Sequence, residues 1–444
     1  MTHHEPPHKT SKLSLILRAF KYRNYRLFFG GQGLSLIGTW MQTVAMSWLV
    51  YRLTGSALLL GVVGFASQIP TFVLSPVAGV MVDRYDRHKI LLITQTLAMF
   101  QAFALAFLVI SGRVAVWHIL ALSAFLGLVN SFDIPARQSF VVTLIEKKED
   151  VGNAIALNSS MFNAARLLGP SIAGVLIGLV GEGICFLLNG ISYIAVLAAL
   201  LAMRVPARKR ESPGGSVLKR FKEGFDYTFG FAPIRFIILL LALTSLTGMP
   251  YTVLMPVFVK VVLSGGPKTL GFLMASSGIG ALTAALALAS RRSVAGIEKK
   301  IPFAGCIFGT GLIALSMSRS FPMAAACIAV ASFGMITQMA VSNTIIQTVV
   351  EDDKRGRVMA FYALAFMGMA PFGSLMAGWL ASRIGAPRTI MLSGAISIAG
   401  AMLFLGKLSE VREKIRPVYE RLGISPKIAA GLESVSELTV PPED

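Results

Sequence analysis

The sequence predicts an all-α membrane protein of twelve transmembrane helices arranged as two six-helix repeats. Three observations carry that expectation. Charged residues make up 14% of the chain, whereas a soluble domain carries about a quarter, and the mean hydropathy is +0.69. Apolar runs of roughly 20 residues recur along most of the length, each long enough to cross a hydrocarbon core of about 30 Å as a helix. A stretch of the first half also matches a stretch of the second without gaps.

Residues 1–26 contain two prolines and several basic residues, and lack the apolar core and cleavage site of a signal peptide. They read as a cytoplasmic N-terminal segment. The first half, 27–203, holds runs near 27–50, 58–82, 90–110, 115–136, 154–180 and 183–203. A connector at 204–233, rich in Arg, Lys, Gly and Pro, reads as a cytoplasmic linker. The second half, 234–406, holds runs near 234–260, 269–290, 300–318, 322–348, 356–382 and 388–406. In the cytoplasmic tail, 407–444, "LSEVREKIRPVYERL" reads as an amphipathic helix on the inner membrane surface, and the acidic end beyond it as disordered.

Duplication is visible in "VGNAIALNSSMFNAARLLGPSIAGVL" at 151–176, which aligns on "RGRVMAFYALAFMGMAPFGSLMAGWL" at 355–380. Gly152, Ala156, Gly169, Ala173 and Gly174 fall on Gly356, Ala360, Gly373, Ala377 and Gly378, and Gly190 on Gly394. Small residues at matched depths allow the close backbone approach that helix pairing in lipid depends on.

An even number of spans puts both termini on one side. About 33 of the 41 basic residues lie on that side and about seven on the other, which makes the terminal side cytoplasmic. The net charge of +19 is therefore mainly a topology signal, with contact to anionic lipid in addition. No soluble segment is long enough for a nucleic-acid-binding domain, so no nucleic-acid partner is expected. No HExxH, GxSxG or P-loop pattern occurs, and His118 is the only histidine within a span, so no enzyme is indicated. Cys185, Cys306 and Cys327 are isolated packing residues, and neither a metal site nor a cofactor is expected.

Charge concentrates in "GVMVDRYDRHKI" at 79–90, the connector after the second span. Gly79, Asp83, Arg84 and Arg87 form a Gly-x-x-x-Asp-Arg-x-x-Arg pattern that, with the repeats, resembles the signature of the major facilitator superfamily over about residues 20–406. The resemblance implies a cytoplasmic gate in which the Asp83 carboxylate sits against the eleventh helix and pairs with a basic residue ending the fourth, by position Arg137. Asp86 and His88 depart from the usual residues. The plainer reading is that the cluster only anchors the loop to headgroups. In the second half, Ser293 falls where Asp83 would, so the gate is asymmetric.

"ARLLGPSIAG" resembles the fifth-helix motif of superfamily antiporters, with Gly169, Pro170 and Gly174 as a hinge or a structural kink. Arg166 lies near mid-membrane, where a charge is costly unless it faces a cavity or a partner. It is read as a pathway residue favouring an anionic or carbonyl-rich cargo, or as a buried structural ion pair. Asp133 and Arg137 are four residues apart on one helix face, an intrahelical pair or, alternatively, a proton carrier and its counter-ion. Gln42, Gln68, Tyr251, Gln338 and Asn343 are cavity candidates or helix-packing groups.

"DIPARQSF" and "RLLGPSIAG" resemble the bacterial branch that includes the enterobactin exporter and macrolide efflux proteins. This implies a monomeric secondary transporter of the bacterial inner membrane, exporting a siderophore-like or drug-like amphipathic molecule against proton entry into the cell. A lipid or lysolipid flippase, a non-transporting sensor or scaffold, and an importer of a small polar solute are the alternatives.

Overall fold

With no water in a hydrocarbon core, an apolar run must satisfy its backbone groups internally, and helices do so. The computed structural model describes residues 17–205, 217–289 and 296–422; the side chains of Asp83 and Asp352, and the whole of Ser293 and of the acidic tail, lie outside the described residues. The first group of helices is α1 (Arg23–Thr54), α2 (Ala57–Arg84), α3 (Arg87–Ile110), α4 (Val116–Thr143), α5 (Lys148–Val180) and α6 (Glu182–Ala202). Next comes α7 (Val217–Gly230), inside the expected linker. The second group is α8 (Ala232–Leu243), α9 (Tyr251–Val261), α10 (Pro267–Ala289), α11 (Lys300–Met317), α12 (Phe321–Val349), α13 (Asp352–Met367), α14 (Ala370–Ile384) and α15 (Ala386–Gly406), followed by α16 (Leu408–Arg421).

Eleven helical stretches among the described residues are long and apolar enough to span a membrane, two of them made of α8 with α9 and of α13 with α14. The remaining long helix, α1, has 32 residues and so about 48 Å of length. Gln32, Ser35, Thr39, Gln42, Thr43 and Ser47 dilute its apolarity.

Local chemistry sets the boundaries. Gly55, at φ 61°, allows the tight reversal from α1 to α2. Asp86, which departs from the family pattern, is the N-cap of α3 and accepts from the His88 amide at 2.9 Å. Two expected runs are divided. A π-helical turn at Thr244–Gly248 separates α8 from α9, and the chain breaks at Gly368 and Met369 between α13 and α14. The breaks face one another, and the Ser245 hydroxyl donates to the Phe366 carbonyl that the break frees.

Packing repeats between the groups. In the first, α1 pairs with α5 and α6, α2 with α4, and α3 with α4 and α6; in the second, α10 pairs with α12, and α11 with α12 and α15. The groups meet through α2 against α14 and α5 against α10. The end helices dock on the second group. Phe225 and Tyr227 of α7 lie on α13 beside Phe361 and Lys354, and α16 buries Val411, Ile415 and Tyr419.

Candidate functional site

The two groups are sealed at the end of the bundle opposite the termini. There Gly61 of α2 meets α14 so closely that an added Cβ would stand 2.6 Å from the Ser374 carbonyl oxygen and 3.0 Å from the Gly378 Cα. On the other seam, a Cβ on Gly174 would stand 2.9 Å from the Gly271 Cα. Toward the terminal end the seam parts. A cavity of about 360 Å³ opens between α2, α4 and α13, walled by Phe72, Leu364 and Met367 with Thr71, Asn130 and Gln138 among its polar groups. A second cavity, about 190 Å³, lies within the first group, lined by Thr39, Trp40, Asp133, Arg137 and Tyr193, and shares Asn130 with the first.

Asp133 is 3% exposed, and among the described residues its hydrogen bonds and ion pair stay within the first group. One carboxylate oxygen accepts from the Thr94 hydroxyl at 2.8 Å and the Gln95 amide at 2.7 Å, both on α3. The other takes Arg137 at 2.9 Å.

Arg166 is the nineteenth of the 33 residues of α5, about 27 Å from its start at 1.5 Å per residue. Its guanidinium crosses between the groups and donates to the Ser277 hydroxyl on α10 at 3.1 Å. Ser277 in turn accepts from Ser332 on α12 at 2.7 Å, and the Tyr251 hydroxyl on α9 lies 3.3 Å from Ser332. The indole of Trp40 lies beside the cation, 5.7 Å from ring centroid to guanidinium carbon.

The residues of the charged connector are spread along the start of α3 and the end of α2. Nothing lies within 4 Å of a Cβ built on Gly79. Arg84 is exposed in the last turn of α2. Arg87 donates to the Ser139 carbonyl of α4 at 3.2 Å. His88 ties α3 to α6 through the Leu200 carbonyl at 2.8 Å.

The remaining candidates are dispersed. Gln42 bonds Gln101 at 3.1 Å and Asn189 at 2.7 Å, both in the first group. Gln68 donates to the Gly64 carbonyl of its own helix. Gln338 donates to Thr244 in the π turn at 3.0 Å, and Asn343 accepts from Gln347. α5 runs unbroken through Gly169 and Pro170. Gly169 lets α1 approach, for a Cβ there would stand 2.5 Å from the Trp40 Cβ.

Sequence reasoning missed Thr94, Gln95, Trp40, Ser277 and Ser332. The signal for the first two was a polar pair inside the apolar run "LLITQTLAMF". At the terminal end, a hydrogen bond to Asp150 at 2.5 Å holds the Lys21 ammonium above its usual range. Lys354 likewise holds the Glu351 carboxyl below its usual range.

Residues 17–427 match the family described as transmembrane secretion effector. Among curated proteins, the chain is 27% identical over 383 residues to the staphyloferrin A transporter of Staphylococcus aureus, covering 85% of this chain and 95% of that one. It is 23% identical to macrolide efflux protein A of Streptococcus pyogenes, with 88% and 98% covered. Among solved structures, a bacterial homolog of the human lysosomal transporter Spinster, inward-facing and unoccupied, superposes with a TM-score of 0.67 at 14% identity, covering 93% of this chain and 99% of that one.

Proposed function

This chain belongs to the transmembrane secretion effector family of the major facilitator superfamily, and from that premise we propose that it exports an amphipathic organic molecule by alternating access. The carrying observation is the seam sealed by Gly61 with Gly378 and Gly174 with Gly271 at one end, while a cavity of about 360 Å³ separates α2 and α4 from α13 at the other.

In this reading α1 is a twelfth crossing, and residues 27–203 and 234–406 are two repeated halves joined by a linker. The recurring helix pairs support the repeat. So do the seam glycines: Gly174 aligns on Gly378 and Gly61 corresponds to Gly271, so that each seam joins one glycine of each kind. The distribution of Lys and Arg supports an inner-membrane chain with cytoplasmic termini, whose open end then faces inward. Siderophore and macrolide relatives support a siderophore-like or drug-like cargo. Arg166, Gln42, Gln68, Tyr251, Gln338 and Asn343 remain its proposed contacts.

Proton coupling rests on Asp133. Its partners all move with the first half, so rocking alone does not free it. The gate supplies a competitor: as the terminal end closes, Asp83 draws Arg137 away, and Asp133 takes up a proton. Gly79, Arg84 and Arg87 position that loop.

The test is export of a macrolide and of a carboxylate siderophore from proteoliposomes with and without an imposed pH gradient. Gradient-driven accumulation is expected, and Asp133→Asn is expected to reduce it about tenfold or more while sparing exchange at equal pH. Normal gradient-driven transport by that variant would remove Asp133 from the coupling role. Lysolipid movement that persists without a gradient, with neither cargo exported, would favour a flippase.

A further inference from the structure

Resting on the exporter reading, we propose that Arg166 and Ser277 form a bolt between the halves, released when an aromatic or amphipathic carboxylate takes the guanidinium. Arg166 stands where the α5 and α10 seam ends. A Cβ on Gly278, next to Ser277, would lie 2.9 Å from the Leu167 Cα, and further outward Gly271 and Gly174 are in contact. On the terminal side of this level, α5 exposes Ala156, Ser159 and Ser160. The bolt is thus a hydrogen bond across the halves at the level where close packing of this seam gives way to exposed residues of α5.

The chemistry of the bolt makes it exchangeable. Guanidinium has five donors, and neutral hydroxyl is a poor match for its charge. Among the described residues no carboxylate lies within 4.0 Å of Arg166. A carboxylate offers two charge-assisted bonds in place of one bond to a hydroxyl. Ser277 is not orphaned by the exchange, because it keeps Ser332 at 2.7 Å, with Tyr251 behind that. The second half therefore releases the cation at small cost, and the inward-facing seal loses a cross-half bond.

Trp40 supplies the aromatic part of the selectivity. One face lies beside the guanidinium, and the ring meets Phe162 in a T-shaped contact at 5.7 Å between centroids. Both rings line the 190 Å³ cavity of the first group. A ring stacked on Trp40 would present its carboxylate to Arg166, so a single ligand engages the wall and the bolt together.

The test measures the state directly. In full-length protein with Cys185, Cys306 and Cys327 replaced by alanine, spin labels are placed on Leu53→Cys and Ser382→Cys, exposed positions at the sealed end of each half. The parent should give mainly the short distance of the sealed end. Ser277→Ala should raise the long-distance population about tenfold, the worth of one charge-assisted bond. Ser277→Asp, which answers the cation across the seam, should restore the short distance. Millimolar benzoate should lengthen the distance in the parent, and benzamide should not. A Ser277→Ala distribution identical to the parent, or equal effects of benzoate and benzamide, would overturn the bolt. If the distances respond as expected but neither cargo is exported, the exporter reading fails and the bolt stands.

Discussion

Asp133 shows how far a single residue could be read from the chain. Its pairing with Arg137 follows from four-residue spacing, and the structure gives that contact at 2.9 Å. Thr94 and Gln95, its other partners, were not legible because they arrive from α3 through tertiary packing, 39 and 38 positions away. Those partners separate stability from charge. Asp133→Ala leaves Arg137 and two α3 donors facing no acceptor, and breaking a buried pair from one side costs about 3–5 kcal/mol. A clear drop in Tm in detergent is expected. Asp133→Asn keeps an oxygen for Thr94 and Gln95 and should lose much less. Equal Tm values for the two variants would mean that the α3 donors contribute nothing to the fold.

At the scale of elements, the apolar runs and their connectors were legible because lipid imposes them, whereas the interruptions were not. Gly248 and Pro250, or Gly368 and Pro371, resemble the small residues and prolines scattered through the other spans. What makes breaks of them is the reciprocal support of α8, α9, α13 and α14 through Ser245 and Phe366. Two of the seam glycines, Gly174 and Gly378, in contrast, sit where the repeat alignment matches small residues. Overpacking a tight contact costs about 1–3 kcal/mol, and here the cost falls only on the sealed state. Gly61→Ala, with its Cβ 2.6 Å from the Ser374 oxygen, should therefore shift the protein away from the state sealed at this end. Gly79→Ala meets nothing within 4 Å and should leave that state intact, impairing only closure of the terminal end. Thiol accessibility of a cysteine at Gln138, in the open cavity, separates the two: it should fall in Gly61→Ala and rise or hold in Gly79→Ala. The same response in both variants would mean that Gly61 and Gly79 do not belong to opposite states.

For the whole molecule, the distribution of charge is the basis for the cytoplasmic placement of the termini proposed above. The end bearing the termini collects α7, α16 and the N-terminal turn, and all three are held by ion pairs. Glu223 meets Arg357 at 2.6 Å, Glu298 meets Arg412 at 2.9 Å, and Asp150 meets Lys21 at 2.5 Å. At the opposite end, Arg52 pairs with Glu182 at 2.7 Å, so that one of the few cations there is already neutralised. An orientation set by Lys and Arg counted in short loops is opposed by few competing charges on that side. A reporter active only outside the cytoplasm, such as alkaline phosphatase, should be active when fused after Gly112 and inactive after Arg421, with a fluorescent protein giving the reverse. The opposite pattern would place the open cavity on the outer face and overturn the orientation proposed above. A phosphatase active at both positions would leave an even number of crossings between α3 and α16 in place of the odd number the two halves require, and activity of a fusion placed before Arg23 would remove α1 as a crossing.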